Sequence, residues 1–597
     1  MNRAGAWAMA GLSVGAFFSE NARAQTVTYT LNGAVTSGSA SWSQTGTWAG
    51  GVVANGEGNT ADFSENVLTG NLTITLDGNQ TIGDLLFGDQ GATYSTTLAT
   101  GSGGVLTLSV PSGSPVIDVV NETATISAVI AGTSGLDKTG AGNLVLTAAN
   151  TYTGTTTVSG GTLTLDFSQA GAPASNIISI SSPASLALTG GGALTLKGNA
   201  SATNSQSFGS LTVGSGADVI NLTQNSATSL TVGLGAITET VGGILDFSVA
   251  PLASGVVATT TNSVVNGILG PWATVGTGTS TQYATISGGD IVAYTGATAA
   301  TAALANVTVA TSNYTYAAAE TLSGARTANT LQYTGAAATT ALGADTLTLN
   351  GFLNTGSGAL TITSTTGGIQ IGSRNELDIL GPTAVTISVP IANDGANASS
   401  LTYSGTGTLT LKTAASTYTG TTTVNSGAVT LGLANVLNSA SSVVVNGGAL
   451  GITTFAQSVN GVTLAGGSIT GTTGTLTSAS TFGVQSGTVS AILAGAVGLD
   501  KSTAGAVSLT AANTYTGVTN IDAGILTSSI IAGINTPSGI GQGSAGGSAG
   551  DLVFGGGALQ YTGTSAASTN RLFTIGDANG NSATINWIFR DFRGKNH

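Results

Sequence analysis

The 597-residue chain is only 6% charged, against about 25% for an average soluble domain, and its formal net charge is −13. Its 12 Lys plus Arg do not supply the basic face that nucleic-acid binding needs to displace counterions. With no Cys there is neither a disulfide framework nor a thiolate metal site. Gly, at 91 residues, punctuates an alphabet of Ala, Thr, Ser, Val and Leu. That composition favours β structure and sets the chain apart from disordered sequences; no Gly-X-Y triplet makes it collagen-like.

In chain order, the first feature is "MNRAGAWAMAGLSVGAFFSENARAQT". Arg3 precedes an apolar stretch from Ala4 to Phe18, and a polar region ends in Ala22-Arg23-Ala24. This reads as a signal peptide over residues 1–24, cleaved after Ala24. Its removal takes away Arg3, Arg23 and Glu20 and leaves a net charge of −14. No later segment is an uninterrupted apolar run of the roughly 18 residues that a membrane-spanning helix needs.

Residues 25–125 read as an N-terminal segment and first coils. Residues 126–165 then align without a gap on residues 489–528, at a constant offset of 363. Both carry "AANTYTG", at Ala148–Gly154 and Ala511–Gly517. A looser copy fills 387–431, with "ASTYTG" and one extra residue near Lys412. A shorter phrase also recurs: "QTIGDLLF", "QSFGSLTV" and "QSVNGVTL", led by Gln80, Gln206 and Gln457. Its Gln reads as a turn or ladder residue.

Within one copy, Leu144 and Leu146 lie two apart and share one strand face, as do Leu163 and Leu165. "AANTYTG" reads as a corner between them, with Asn150 and Gly154 suited to turn geometry. Strands of 3–6 residues separated by Gly or Asn run from 126 to 586, least regularly in 200–380. Stacked sandwiches and a β-helix both fit this spacing; ladders of identical small residues and the low aromatic content favour an all-β, parallel β-helix (a β-solenoid). At roughly 20–25 residues per coil, a single spiral would make about 25 coils and a rod on the order of 120 Å long. Tyr152, Tyr418 and Tyr515 are expected at equivalent corners, ring on the core and hydroxyl in water.

Groups able to carry chemistry are few. "GSRNELDIL" puts Arg374, Glu376 and Asp378 on one strand face, expected to be solvated, with a sugar or Ca²⁺ site as the alternative. Asp137-Lys138 and Asp500-Lys501 travel with the repeat and read as turn residues. Asp62 and Glu65 are expected in a loop with no third ligand. Ser548 centres a formal Gly-x-Ser-x-Gly at Gly546–Gly550, and Gly541–Gly546 matches Gly-x-Gly-x-x-Gly, but neither has the strand-to-helix context its chemistry requires. The only His is His597. No catalytic, cofactor-binding or metal-binding residue is therefore assigned.

The tail, 587–597, changes character: Arg590, Asp591, Arg593 and Lys595 crowd into it. It reads either as a polar cap on a solenoid end or as a truncated or frame-shifted stretch.

The pattern "GLDKTGAGNLVLTAANTYTGTTTVSGGTLTL" resembles the autotransporter-associated β-strand repeat, also called the passenger-associated transport repeat. The matching positions are Lys138, Gly140 and Gly142, then Asn150, Tyr152, Gly154 and Thr156, then Gly161, Thr162 and Leu163. The last copy keeps Lys501, Asn513, Tyr515, Gly517 and Thr519 but opens with Ser502-Thr503-Ala504. The middle copy has Ser416 for Asn and lacks the Lys. "SWSQTGTWAGGVVANGEGNTADFS" (41–64), "VVNGILGPWATV" (264–275) and "GDLVFGGGALQYTG" (550–563) are similar to flanking segments of such passengers.

The resemblance implies a right-handed parallel β-helix exported to the Gram-negative cell surface or beyond. A complete member ends in a membrane β-barrel, and no such pattern of alternating strands is visible here. The expected function is a non-enzymatic surface stalk or adhesin whose ligand is a carbohydrate or a host or cell-surface protein. The alternatives are a polysaccharide-active lyase or hydrolase on the same scaffold, or a truncated product of a longer autotransporter.

Overall fold

The computed structural model describes residues 26–576, apart from 102, 182–183, 249–254, 414–415, 545, 548 and 566. The signal-peptide reading, Ser548, the tail and His597 lie outside the described residues. What is described is strand and turn, with a few three-residue 3₁₀ turns and no α-helix.

Short alternating segments such as Leu72–Leu76, Asn143–Leu146, Thr162–Asp166 and Ala193–Lys197 pair in parallel, each with the equivalent segment one coil on. Register keeps chemistry constant along each column. Ile74, Leu98, Ile126, Leu146, Leu165, Leu196 and Leu222 stack inward, while Thr73, Thr97, Thr125, Val145, Thr164 and Thr195 stack outward. A slip of one residue would turn every Leu out to water, so burial of each, about 1.5–3 kcal/mol, fixes the register. The β-helix expected from the sequence is thus present.

Its path is not a single spiral. A first arm, from Thr28 to Ala293, has one core, which Trp42, Trp48, Phe63 and Phe87 close at the N-terminal end. Their rings pack in sequence, Trp42 on Trp48 at 5.0 Å and Phe63 on Phe87 at 5.1 Å. Both indole N–H groups are satisfied by carbonyls, of Ala54 and Trp42. The far end is closed by an antiparallel hairpin, Gln282–Ser287 with Asp290–Ala293. Its two-residue turn places Gly288 and Gly289 at φ +63° and +96°, a conformation that favours glycine at both positions.

A second arm, from Thr298 to Ile575, then builds a separate core and runs back along the first. Four contacts give the direction. Asn313 Nδ2 donates to Asn266 O (2.6 Å), Arg374 pairs with Glu239 (2.7 Å), Asn425 Nδ2 donates to Gly216 O (3.1 Å), and Asn446 Nδ2 donates to Ser215 Oγ (2.8 Å). Numbers rise along one arm as they fall along the other. Ten parallel strands stack along one face of the first arm and fourteen along one face of the second, about 45 and 60 Å at 4.8 Å per coil. The single-rod expectation is therefore corrected: the coils are there, but doubled back.

The seam explains strands that lack alternation. Gly351–Asn354, the first five residues of Glu376–Gly381, and Thr422–Asn425 are buried on both faces. Phe352 and Ile379 point into the second arm's core, while their neighbours Leu353 and Leu380 join that of the first.

Candidate functional site

The three repeat copies build the same corner. Tyr152, Tyr418 and Tyr515 are at most 1% exposed. Their hydroxyls do not reach water as expected; each is buried against a Thr four residues on, Thr156 (2.8 Å), Thr422 (2.6 Å) and Thr519 (2.8 Å). A phenol that fills a core must find a partner there, and the first residue of the next strand provides it. Asn150 locks the corner to both neighbouring coils. Its Oδ1 accepts from Ile130 N (2.9 Å) and its Nδ2 donates to Ile177 O (3.1 Å). Asn513 does the same with Leu493 N and Gly539 O, each at 2.9 Å. Ser416 in the middle copy reaches only Ile391 N, at 3.4 Å.

Lys138 is fully buried, and its Nζ donates to three carbonyls, of Thr139 (2.7 Å), Gly140 (2.9 Å) and Gly160 (3.1 Å). Lys501 likewise donates to Thr503 O and to Ala523 O (3.0 Å). Burial pulls both ammonium groups down to about 8, against Asp118 and Asp137 for Lys138 and Asp500 for Lys501. Both lysines lie in strands, Leu136–Thr139 and Leu499–Lys501, and not in turns as expected; their ammonium groups reach carbonyls at the neighbouring turns. In the middle copy Tyr403 stands at the Lys position: it pairs with Val424 as Lys138 pairs with Val158. Its buried hydroxyl has no partner.

The recurring Gln acts in two of its three places. Gln206 brackets Ile178, accepting from its N–H and donating to its carbonyl at 3.0 Å each; Gln457 brackets Leu437 at 3.1 Å each. Gln80 lies in the strand Gln80–Phe87, half-buried.

The densest charge cluster is not the solvated strand face expected. Glu376 and Asp378 are buried, at 1% and 0% exposure, because that face packs on the first arm. Arg374 pairs with Asp378, with Glu376 (3.3 Å) and, across the seam, with Glu239 (2.7 Å). Glu376 Oε1 also accepts from Gly242 N (2.8 Å) and Thr402 Oγ1 (2.6 Å). Asp378 Oδ1 and Glu239 Oε1 have no partner. Burial drives the Asp378 carboxyl well above the usual range and raises Glu239, with Arg374 opposing in both. Burial works against the Arg374 charge too, but Asp378, Glu239 and Glu376 together hold it above its ordinary value. Glu239 could not be grouped with the others from sequence, since it lies 135 residues away.

Asp62, expected in a loop, is instead buried in the strand Gly56–Phe63, where its Oδ1 accepts from Ser64 N (2.8 Å) and Ser64 Oγ (2.7 Å). Asparagines at the base of the seam were not singled out in the sequence. Asn350 donates to Asn329 (3.1 Å) and Asn329 to Asn313 (2.9 Å), a ladder crossing three coils. Among the described residues, no group of three or more His, Cys, Asp or Glu is arranged to hold a metal ion, and no helix is long and apolar enough to cross a membrane.

Comparison with known proteins agrees with the corners. The Passenger-associated-transport-repeat family matches residues 136–165, 401–431 and 499–527, each spanning a Tyr–Thr corner. The chain is also similar to the Adhesin BmaC autotransporter of Brucella suis biovar 1 (strain 1330), 31% identical over 491 residues. That match covers 73% of this chain and 13% of the relative, so the chain spans a small part of that protein's length. No solved structure matches it significantly. Three copies of one repeat, each matched by the family and each built as the same buried corner in a parallel β-helix, make this chain a carrier of passenger-associated-transport repeats that is similar to an autotransporter adhesin.

Proposed function

We propose that the chain is the non-enzymatic, surface-exposed part of an autotransporter adhesin, a doubled β-helical stalk that presents its outer faces to a ligand. The observation that carries this reading is the use of its buried polar groups. The repeat Tyr, Asn and Lys side chains are spent on holding corners, and the Arg374 cluster is spent on holding the arms together. The outward columns present Thr and Ser hydroxyls at the coil spacing, a surface suited to many weak contacts that add through effective concentration. The ligand class is a carbohydrate or a host or cell-surface protein. Similarity to an adhesin supports the adhesive role. The chain is exported to the Gram-negative surface, and its leader is cleaved after Ala24.

Beads coated with the purified chain are expected to adhere to cultured epithelial cells or to an immobilised glycan array above albumin-coated beads. Adhesion no better than albumin on both would overturn the reading. N-terminal sequencing of the exported chain is expected to start at Gln25.

A further inference from the structure

We propose that the seam between the arms is a proton-operated latch: the arms lie closed at mildly acid pH and part as the pH rises past neutral, lengthening the molecule. The geometry is a buried imbalance of charge. Within the second arm, Arg374 already serves Glu376 and Asp378. Closing the seam adds Glu239 from the first arm, so three carboxylates share one guanidinium, and two of their oxygens, Asp378 Oδ1 and Glu239 Oε1, face no donor. No other Lys or Arg among the described residues forms an ion pair with these acids.

The remaining titratable groups near the cluster add no positive charge. Tyr283 of the first arm is buried beside Asp378 and feels its charge, and burial keeps the phenol protonated. Asp246, two strands from Tyr283 in the same sheet, accepts from Thr274 Oγ1 at 2.6 Å. A bound proton is therefore the one available relief for the excess.

The sign follows. Burial in the closed seam raises the Glu239 and Asp378 carboxyls, so the closed form binds more protons than the parted one. Raising the pH strips those protons and shifts the balance toward parting, by up to about tenfold per pH unit for each proton released. Leu353, Leu380 and the uncharged Asn425 and Asn446 contacts hold the seam at all pH and set where on the scale it opens. Fully parted arms reach toward about 100 Å.

The absence of Cys makes the test clean. Ala170→Cys and Thr473→Cys, exposed positions on the two arms, take a donor and an acceptor dye in the full chain. Energy transfer is expected to be high at pH 5 and to fall severalfold by pH 8.5, with the far-ultraviolet strand signal unchanged. Glu239→Gln, which removes the crossing charge while keeping its shape, is expected to keep transfer high at pH 8.5 and flatten the response. Asn425→Ala is expected to lower transfer at every pH without changing its slope. Equal transfer at pH 5 and 8.5, an unaltered slope in Glu239→Gln, or loss of strand signal in step with transfer would each overturn the latch.

Discussion

The first and middle repeat copies share one corner but stand in different surroundings, and the contrast shows which parts of the repeat are structural necessities. In the first copy the corner is fastened three ways, by the Tyr152–Thr156 pair, the Asn150 clamp and the Lys138 cap. In the middle copy only the Tyr418–Thr422 pair survives; Ser416 replaces the clamp and Tyr403 the cap. That copy lies in the seam, where Thr422–Asn425 gains a second buried face and Asn425 bonds to the first arm. Packing between arms takes over what the missing hardware does elsewhere.

This comparison can be broken at several points. Each coil contacts mainly its neighbours, so hydrogen exchange of the affected coil is the fitting measurement. The largest local packing effect is expected for Lys138→Met, which takes the Lys donor from three part-buried carbonyls and should cost about 2–4 kcal/mol. The matching change in the middle copy, Tyr403→Phe, removes a hydroxyl that bonds to nothing and should leave protection unchanged or slightly higher. A comparable loss in both would show that the seam does not replace the cap.

Next in size, Tyr152→Phe and Tyr418→Phe should each cost about 1–2 kcal/mol, because both orphan a buried Thr hydroxyl. Tyr515→Phe should cost less, since Thr519 Oγ1 also donates to Ile540 O at 3.0 Å. Ser416→Asn, which restores the missing clamp, should gain about 1 kcal/mol, read as slower exchange at Ile391 N.

A separate effect is one of pH on the first arm. Burial raises the folded-state carboxyls of Asp218 to about 8 and of Asp246 to about 6. A carboxyl raised in the folded state favours folding below its unfolded value and loses that contribution as pH rises through the folded one. Thermal unfolding of the first arm should therefore shift to lower temperature between pH 4 and about 8, and Asp218→Asn should shrink that shift.

The parallel coils, the recurrence of the repeat and the corner role of Asn were legible in the sequence. Leu144 and Leu146 alternate with outward residues, and their partners are one coil away, so each strand carries its own instructions. The Tyr hydroxyls were misjudged because a residue at a corner looks exposed until the next strand supplies Thr156. Strands such as Gly351–Asn354 lost alternation for the opposite reason, gaining a neighbour on both faces.

The sequence alone determined that the chain would coil, since alternation and Gly-marked turns act over a few residues and repeat down the chain. Only the tertiary structure decided that the coil doubles back, and that Arg374, Glu376 and Asp378 are buried against Glu239. The contacts across the seam join residues 47 to 231 positions apart, and apart from Leu353 and Leu380 its small and polar residues read locally like a solvated face. What separates the two is the surface packed against it, which no stretch of the strand itself encodes.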